Sequence, residues 1–302
     1  MRIVITGAGG FVGRALVERL RDEHDLVGID VGPLPDGCLA VSGDLTDPSI
    51  LEDAFSGGCD AVVHLATAPG GAAEADPALA KRVNIDATMA ITEIAARRGK
   101  CPRFVFASSV AVFGAPLPAL IDDGTPLSPR LVYGAHKAMM ETWIASQSPR
   151  RAIDGLSLRL PGIVARPASA AGFKSAFMSD VFHALKADRG FVSPVSADAT
   201  MWMLSVRCLI DNITHALTLP KGSAGGRAIT LPALRIPFRE LVGEIAAQTG
   251  FDIGRVTYAP DVALEAAFGS LPPLLTPAAD ALGFVHDVNV TTLVAHALAR
   301  LV

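Results

Sequence analysis

The passage from Arg2 to Arg14 constrains the fold more than any other. There the run Ile3-Val4-Ile5-Thr6 breaks into Gly7-Ala8-Gly9-Gly10 and resumes as Phe11-Val12-Gly13-Arg14. A β-branched run bounded by glycine reads as a buried strand, while Phe11, Ala15, Leu16 and Leu20 recur at helical spacing. Strand, tight turn and helix therefore follow one another directly. Gly7, Gly10 and Gly13 stand three apart: the first permits the turn, the second lets backbone N–H groups approach a pyrophosphate, and the third lets helix and strand close up. Phe11, Val12 and Gly13 then open a helix whose free donors and partial positive charge suit a phosphate.

This spacing is not G-x-G-x-x-G, so its meaning depends on the next stretch of chain. Asp25–Asp30 reads as a second strand, and the Asp30 carboxylate comes twenty residues after Gly10, where an acid accepts bonds from ribose hydroxyls. Val31-Gly32-Pro33 brings no arginine for a 2′-phosphate, which favours NAD over NADP. An isolated glycine cluster reads equally as a plain turn. Strand, glycines, helix, strand and acid in one unit favour the dinucleotide.

At 302 residues the length suggests roughly two domains, and with half of its residues hydrophobic the chain can bury a large core. A net charge of −4 gives no sign of a nucleic-acid partner, and Arg97-Arg98-Gly99-Lys100 reads as the solvated cationic end of a helix. Cys38, Cys59, Cys101 and Cys208 are scattered, so reduced thiols are expected. His183, His215, His286 and His296 lack metal-ligand spacing, and no metal is expected. The first strand starts at the second residue and no apolar stretch approaches ~18 residues, so neither a signal peptide nor a membrane span is expected. The expected compartment is the cytoplasm.

Asp44 and Leu45 are placed to flank an adenine ring, and Asp47 caps a helix running from Ser49 to Phe55. Cys59 to Ala66 reads as a buried strand with His64 as a core residue. The small residues after it let a cofactor lie close to backbone, which makes Leu65, Ala66 and Thr67 candidate contacts. Pro77 to Arg98 forms one long helical pattern stopped by Gly99, with Asn84 read as solvent-facing. Arg103 to Gly114 is a further strand pattern, carrying Ala107, Ser108 and Ser109 at the end where open α/β sheets place ligands. Tyr133 and Lys137 then share one helix face. An ammonium beside a phenol favours the phenolate, whose ordinary pKa is about 10, and makes Tyr133 a usable acid or base. Ser109 supplies a hydroxyl for the reacting oxygen. Taken alone, Y-x-x-x-K also describes a half-buried Tyr and a surface Lys; here it comes after a strand-terminal serine and a cofactor loop.

Thr6-Gly7-Ala8-Gly9-Gly10-Phe11-Val12-Gly13, Asp44-Leu45, His64-Leu65-Ala66, Asn84, Ser108-Ser109, Tyr133 with Lys137, and Arg159-Leu160-Pro161-Gly162 together resemble the extended short-chain dehydrogenase/reductase family. The resemblance implies an α/β fold, a doubly wound Rossmann sheet of seven strands with a small C-terminal substrate-binding lobe. It also implies Ser109, Tyr133 and Lys137 as the catalytic set, with Asn84 holding a water of a proton relay. Lys137 would bond the nicotinamide ribose, Ala107 would lie against the cofactor, and Pro161, Gly162, Ile163 and Val164 would line the nicotinamide. Helices equivalent to 78–98 and 133–148 would form a homodimer. Phe113 departs from the family, which often has Tyr there.

The NAD-binding domain is expected over 1–165, rejoined by about 205–234, with a substrate lobe over 166–204 and 235–302. Ala228 to Leu231 reads as a strand returning to the sheet, and 238–248, 276–282 and 290–301 read as helices. Arg166 with Ser175 forms one candidate anion site. Arg207 opens a helix whose N-terminus disfavours a cation, so it wants an anionic partner, either an internal carboxylate or a ligand. Trp202 suits a core or a substrate pocket. Arg166-Pro167, Ser175-Ala176-Phe177, Trp202-Met203-Leu204-Ser205-Val206-Arg207 and Leu231-Pro232-Ala233-Leu234 resemble one subgroup of the family that oxidises C2 of a small sugar acid. Ser205-Val206-Arg207 departs from that subgroup's S-P-R. The rivals are a nucleotide-sugar 4-epimerase, for which no diphosphate grip is evident, and a dinucleotide-sensing protein without catalysis, which has no need of Ser109, Tyr133 and Lys137 together.

Overall fold

A computed structural model describes residues 1–167, 175–223 and 225–301. The chain divides into two compact units. The first comprises Met1–Gly114, Pro126–Leu160 and the described residues of Ile210–Thr230; the second comprises Ala115–Thr125 and the described residues of Pro161–Leu209 and Leu231–Val302.

In chain order the first unit begins β1 (Arg2–Thr6), α1 (Phe11–Leu20), β2 (Asp25–Asp30), β3 (Leu39–Ser42), α2 (Pro48–Phe55) and β4 (Ala61–His64). It continues through α3 (Gly70–Ala75), α4 (Pro77–Lys81), a π-helical turn Arg82–Asp86 and α5 (Ala87–Arg98). Then come β5 (Arg103–Ser109), a 3₁₀ turn Val110–Phe113, α6 (Val132–Gln147) and β6 (Asp154–Leu160). The chain goes on as β7 (Gly162–Val164), α7 (Phe177–Lys186), β8 (Phe191–Ser193), β9 (Thr200–Ser205), α8 (Val206–Thr218) and β10 (Ala228–Thr230). It closes with β11 (Leu234–Pro237), α9 (Phe238–Thr249), β12 (Val256–Tyr258), α10 (Val262–Phe268), α11 (Pro277–Ala281) and α12 (Val290–Ala299).

The first unit is built on a seven-stranded parallel sheet in the order β10-β6-β5-β4-β1-β2-β3. A parallel sheet is covered on both faces, which is why Ile3-Val4-Ile5 and Ala61-Val62-Val63 are apolar without alternation and fully buried. Phe55, Ile91, Ile94 and Ile144 join Val4, Val62, Phe104 and Phe106 in one core. The order reverses between β1 and β4, and an open α/β sheet binds its ligands at the carboxyl ends of the strands at such a switch point. At the opposite end Arg103 is buried against Asp154 (2.7 Å) and donates to the carbonyls of Ala216 and Leu219, where it terminates α8. A cavity of about 790 Å³ opens there, lined among others by Arg2, Arg98, Arg103 and Lys221. Its arginines are matched by Asp25, Glu52 and Asp154, and Lys221 donates to the Cys101 carbonyl.

The second unit holds a three-stranded sheet, β11-β9-β7, and a parallel pair, β12-β8. Phe177, Phe182, Phe238, Val242, Leu293 and Val294 from α7, α9 and α12 form its core, with the Phe177 and Phe238 rings edge to face at 5.8 Å. The boundary expected at 165 falls at Leu160, because Gly162–Val164 pairs with β9 instead of extending β6. The return to the first unit spans Ile210–Thr230, and β10 pairs with β6.

The long helix expected over 77–98 is three pieces. Asp76 caps α4, and the ladder widens to a π turn at Asn84, whose side chain is drawn inward. No helix among the described residues is long and apolar enough to cross a membrane.

Gly13 and Gly243 give opposite tests of this packing. A Cβ on Gly13 would fall 2.1 Å from the Gly7 carbonyl oxygen, whereas one on Gly243 in α9 meets nothing within 4 Å. Gly13→Ala is expected to destabilise by roughly 1–3 kcal/mol or more, and Gly243→Ala to stabilise by roughly 0.5–1 kcal/mol. Thermal unfolding of the two variants reads both signs.

Candidate active site

Gly7 ends β1 at φ +72°, and a Cβ there would stand 2.8 Å from the Ala66 backbone nitrogen, so the turn after β1 lies directly against the loop after β4. Gly13 brings α1 down on the same turn. Gly10 is the N-cap of α1 and no side chain caps the helix, so the first-turn N–H groups of Phe11, Val12 and Gly13 are left for a ligand. Asp30 at the end of β2 accepts from Gly9 N–H (2.9 Å) and Gly32 N–H (2.8 Å), one on each carboxylate oxygen. Each oxygen keeps a further lone pair for a ribose hydroxyl. Arg14 donates to the carbonyls of Gly9 and Pro33 and braces the turn from α1. A glycine-rich turn, an uncapped helix start and an acid at the next strand end fit a dinucleotide.

Asn84, read from sequence as solvent-facing, is 3% exposed. Its amide oxygen accepts from Ala68 N–H (2.7 Å) and the Thr67 hydroxyl (2.9 Å), and its amide nitrogen donates to the Ala68 carbonyl (3.0 Å). The side chain thus staples the loop that carries Leu65, Ala66 and Thr67, all half-buried. Leu45 differs from expectation: it is buried in the first unit's core beside Leu51 and Phe55, while Asp44 stays exposed and accepts from Thr46 N–H.

His64 is buried, as expected of a core residue, and it links the two loops. Thr88 donates its hydroxyl proton to the Asn84 carbonyl (2.9 Å), so His64 Nε2 must donate to Thr88 Oγ1 (2.8 Å) and Nδ1 must accept from Thr6 Oγ1 (2.6 Å). Burial, reinforced by the Lys137 ammonium, pushes the imidazole down to about 3 and keeps it neutral.

Ser109 ends β5, and Tyr133 and Lys137 lie on α6, which packs against β5 and the turn after it. Ser109 caps the 3₁₀ turn, accepting from Ala111 N–H (3.2 Å), so its own proton remains to be donated. Tyr133 lies in the first turn of α6, which Glu74 caps through Val132 N–H (2.7 Å). Gly134, not singled out in the sequence, sets the spacing: a Cβ there would stand 2.5 Å from the Ala111 carbonyl oxygen, so α6 begins hard against the turn that holds Ser109. The signal was a glycine at a helix start, where propensity alone disfavours it. Lys137 Nζ donates to the Ala107 carbonyl (2.7 Å) and sits 4.5 Å from the Phe106 ring centre and 5.5 Å from that of Tyr133. Burial pushes this ammonium down to about 7, against the pull of the Glu141 carboxylate.

In the second unit Arg166 and Ser175 meet, with Nη2 3.4 Å from Oγ, while His183 and Ser179 hold the Arg166 backbone. Arg207 is exposed at the start of α8 and makes no ion pair among the described residues. Asp287 instead takes the Ser205 N–H and hydroxyl at that helix start (2.8 and 2.7 Å). Two expectations are corrected here. Trp202 is 2% exposed with its N–H on the Pro272 carbonyl (2.8 Å), a core residue with no face for substrate. Val164 is fully buried in the second unit's core and Ile163 nearly so, because both lie in β7; of the nicotinamide candidates Gly162 keeps a part-exposed position beside buried Pro161.

Residues 3–229 match the NAD dependent epimerase/dehydratase family. The chain belongs to this family. It is an NAD-dependent enzyme, and NAD is the group that the glycine cradle fits. Two relatives are the D-erythronate dehydrogenases of Cupriavidus necator and Haemophilus influenzae. Each is 32% identical over 96% of this chain, covering 95% and 96% of their own lengths. Among solved structures, the nucleoside-diphosphate-sugar epimerase from Agrobacterium tumefaciens superposes with a TM-score of 0.89 at 28% identity, covering 97% of this chain and 92% of that one.

His64 makes the neutral form of this network measurable. With its folded-state value below the unfolded one, the unfolded chain takes up the proton first as pH falls. The stability present above pH 6.5 is then lost toward about 3, at up to about 1.4 kcal/mol per pH unit from this group. Urea midpoints between pH 7 and 4 should fall less steeply for His64→Asn than for the native chain, and equal slopes contradict the assignment.

Proposed function

We propose that the protein is a dehydrogenase of a small polyhydroxy acid, of the D-erythronate class, removing hydrogen at C2. The supporting observation is that both sugar-acid dehydrogenases align with 96% of the chain, through the second unit as well as the first, on a chain that carries Ser109, Tyr133 and Lys137 together. NAD, when bound, supplies the hydride acceptor. Tyr133, as phenolate, removes the substrate hydroxyl proton. Ser109 donates to the same oxygen and orients it. Lys137 keeps a positive charge beside the phenolate and offers a donor to the cofactor ribose. Asn84 acts by holding the Thr67–Ala68 loop, and its carbonyl, already engaged by Thr88, is the place for the relay water.

Arg166, Ser175 and Arg207 are the proposed partners of the substrate carboxylate, since a sugar acid needs a cation and Arg207 has no carboxylate of its own among the described residues. Exposed Leu79, Leu131 and Met139 on or beside α4 and α6 support a homodimer through these helices. The similarity to a nucleoside-diphosphate-sugar epimerase supports a second reading, in which the same residues move hydride out and back with no net reduction.

A panel of four- to six-carbon sugar acids assayed by NADH absorbance separates the two. Net NADH formation with a four-carbon acid is expected; NAD kept through purification with no net reduction by any acid favours the epimerase. Tyr133→Phe should lower kcat by roughly 10²–10⁴-fold while NAD binding stays close to native. Retained turnover removes Tyr133 from the mechanism.

A further inference from the structure

Glu141 has no role in the chemistry above, yet it is a 5%-exposed carboxylate with three side-chain donors committed to it. The Ser108 hydroxyl donates to Oε1 at 2.5 Å, and Arg159 grips both oxygens, Nε at 3.0 and 3.2 Å and Nη2 at 2.8 Å. Ser108 and Arg159 are cross-strand partners of β5 and β6, so two adjacent strands converge on one helix residue. The Phe113 ring backs the guanidinium at 5.3 Å. A buried bidentate pair rarely gains stability over apolar residues of the same volume, so its placement calls for another reason.

Lys137 lies one helical turn before Glu141 on the same face of α6. The groups that face its ammonium are few. Among the described residues these are Tyr133 and Glu141 from α6, neutral His64 from β4, and the Ala107 carbonyl and Phe106 ring from β5; Arg159 of β6 stands behind Glu141, joined to it. Beside the neutral Ala107 carbonyl and Phe106 ring, the Glu141 carboxylate is the negative charge that favours a charged Lys137 without taking part in proton transfer.

We propose that Glu141, clamped by Arg159 and Ser108, is a positioning residue whose fixed charge one turn away keeps the Lys137 ammonium charged, and so sets where the Tyr133–Lys137 pair gives up its proton. This rests on the reading of Tyr133 and Lys137 as the reacting pair. The carboxylate acts on the nearer member. Without it, the pair sheds its proton at lower pH, and the arrangement of neutral lysine with intact phenol gains over that of ammonium with phenolate.

The direct test tracks the ε-carbon of Lys137 by NMR in cofactor-free protein labelled with carbon-13 lysine, the resonance being assigned with Lys137→Met. In Glu141→Gln the titration midpoint should fall by roughly one pH unit. The double variant Glu141→Gln/Arg159→Met, which keeps the volume without either charge and guards against misfolding of the single one, should also lower it. Arg159→Met alone should leave it at or above the native value. In the loaded enzyme, Glu141→Gln should lower kcat and move the acid limb of kcat/KM in the same direction as the Lys137 midpoint, with NAD affinity unchanged. A midpoint that stays at the native value in the folded Gln-containing variants overturns the proposal. If that midpoint moves while Tyr133→Phe keeps its turnover, the positioning role stands and the reading of the reacting pair fails.

Discussion

The site depends on one ammonium taken out of water. Lys137 is 2% exposed, and a cation there persists only if the surrounding structure supplies what solvent no longer does. It receives the Ala107 carbonyl, the face of Phe106 and, one turn on, the Glu141 carboxylate. Each of these fixes an element. Ala107 and Phe106 place the end of β5, Glu141 ties α6 to β5 and β6, and Gly134 lets the first turn of α6 close on the Ser109 turn. Burial pushes this ammonium toward neutrality, so it supports a phenolate only as far as these partners keep its proton on it.

The cofactor end of the first unit is governed by backbone contact in place of charge. Gly7 and Gly13 allow strand, helix and the loop after β4 to meet at distances that any side chain would prevent, at the point where the strand order reverses. Asp30 serves twice, holding Gly9 and Gly32 while offering its remaining lone pairs. The chain Thr6–His64–Thr88–Asn84 then couples this turn to the loop that Asn84 staples. A shift in one loop is therefore felt in the other.

Much of this was legible in the sequence. Apolar runs and glycine spacing gave β1, α1 and β2 and the place of Asp30 at a strand end, since those depend on neighbours in the chain. Four-residue spacing put Tyr133 and Lys137 on one face, and the strand pattern put Ser109 at the end of β5. What stayed hidden depends on distant partners. Helical periodicity ran straight through Asn84, because a π turn changes the ladder without changing composition. Val164 looked available, and Trp202 stayed open between core and pocket, because β7 and β9 of a second, small sheet were not foreseen. Glu141 was not singled out in the sequence, because its burial and its partners Ser108 and Arg159 come from two neighbouring strands. In the second unit Asp287 answers the start of α8 at Ser205, which a pattern of helix ends does not predict.

The central claim is that hydrogen leaves C2 of a polyhydroxy acid while the Tyr133–Lys137 pair takes the hydroxyl proton. Turnover of D-erythronate deuterated at C2 alone tests it most directly. The account predicts that the deuterium appears in the reduced nicotinamide and that a primary isotope effect on kcat/KM is seen. Deuterium retained in the product, or a transfer seen only from substrate labelled at C3, would contradict it.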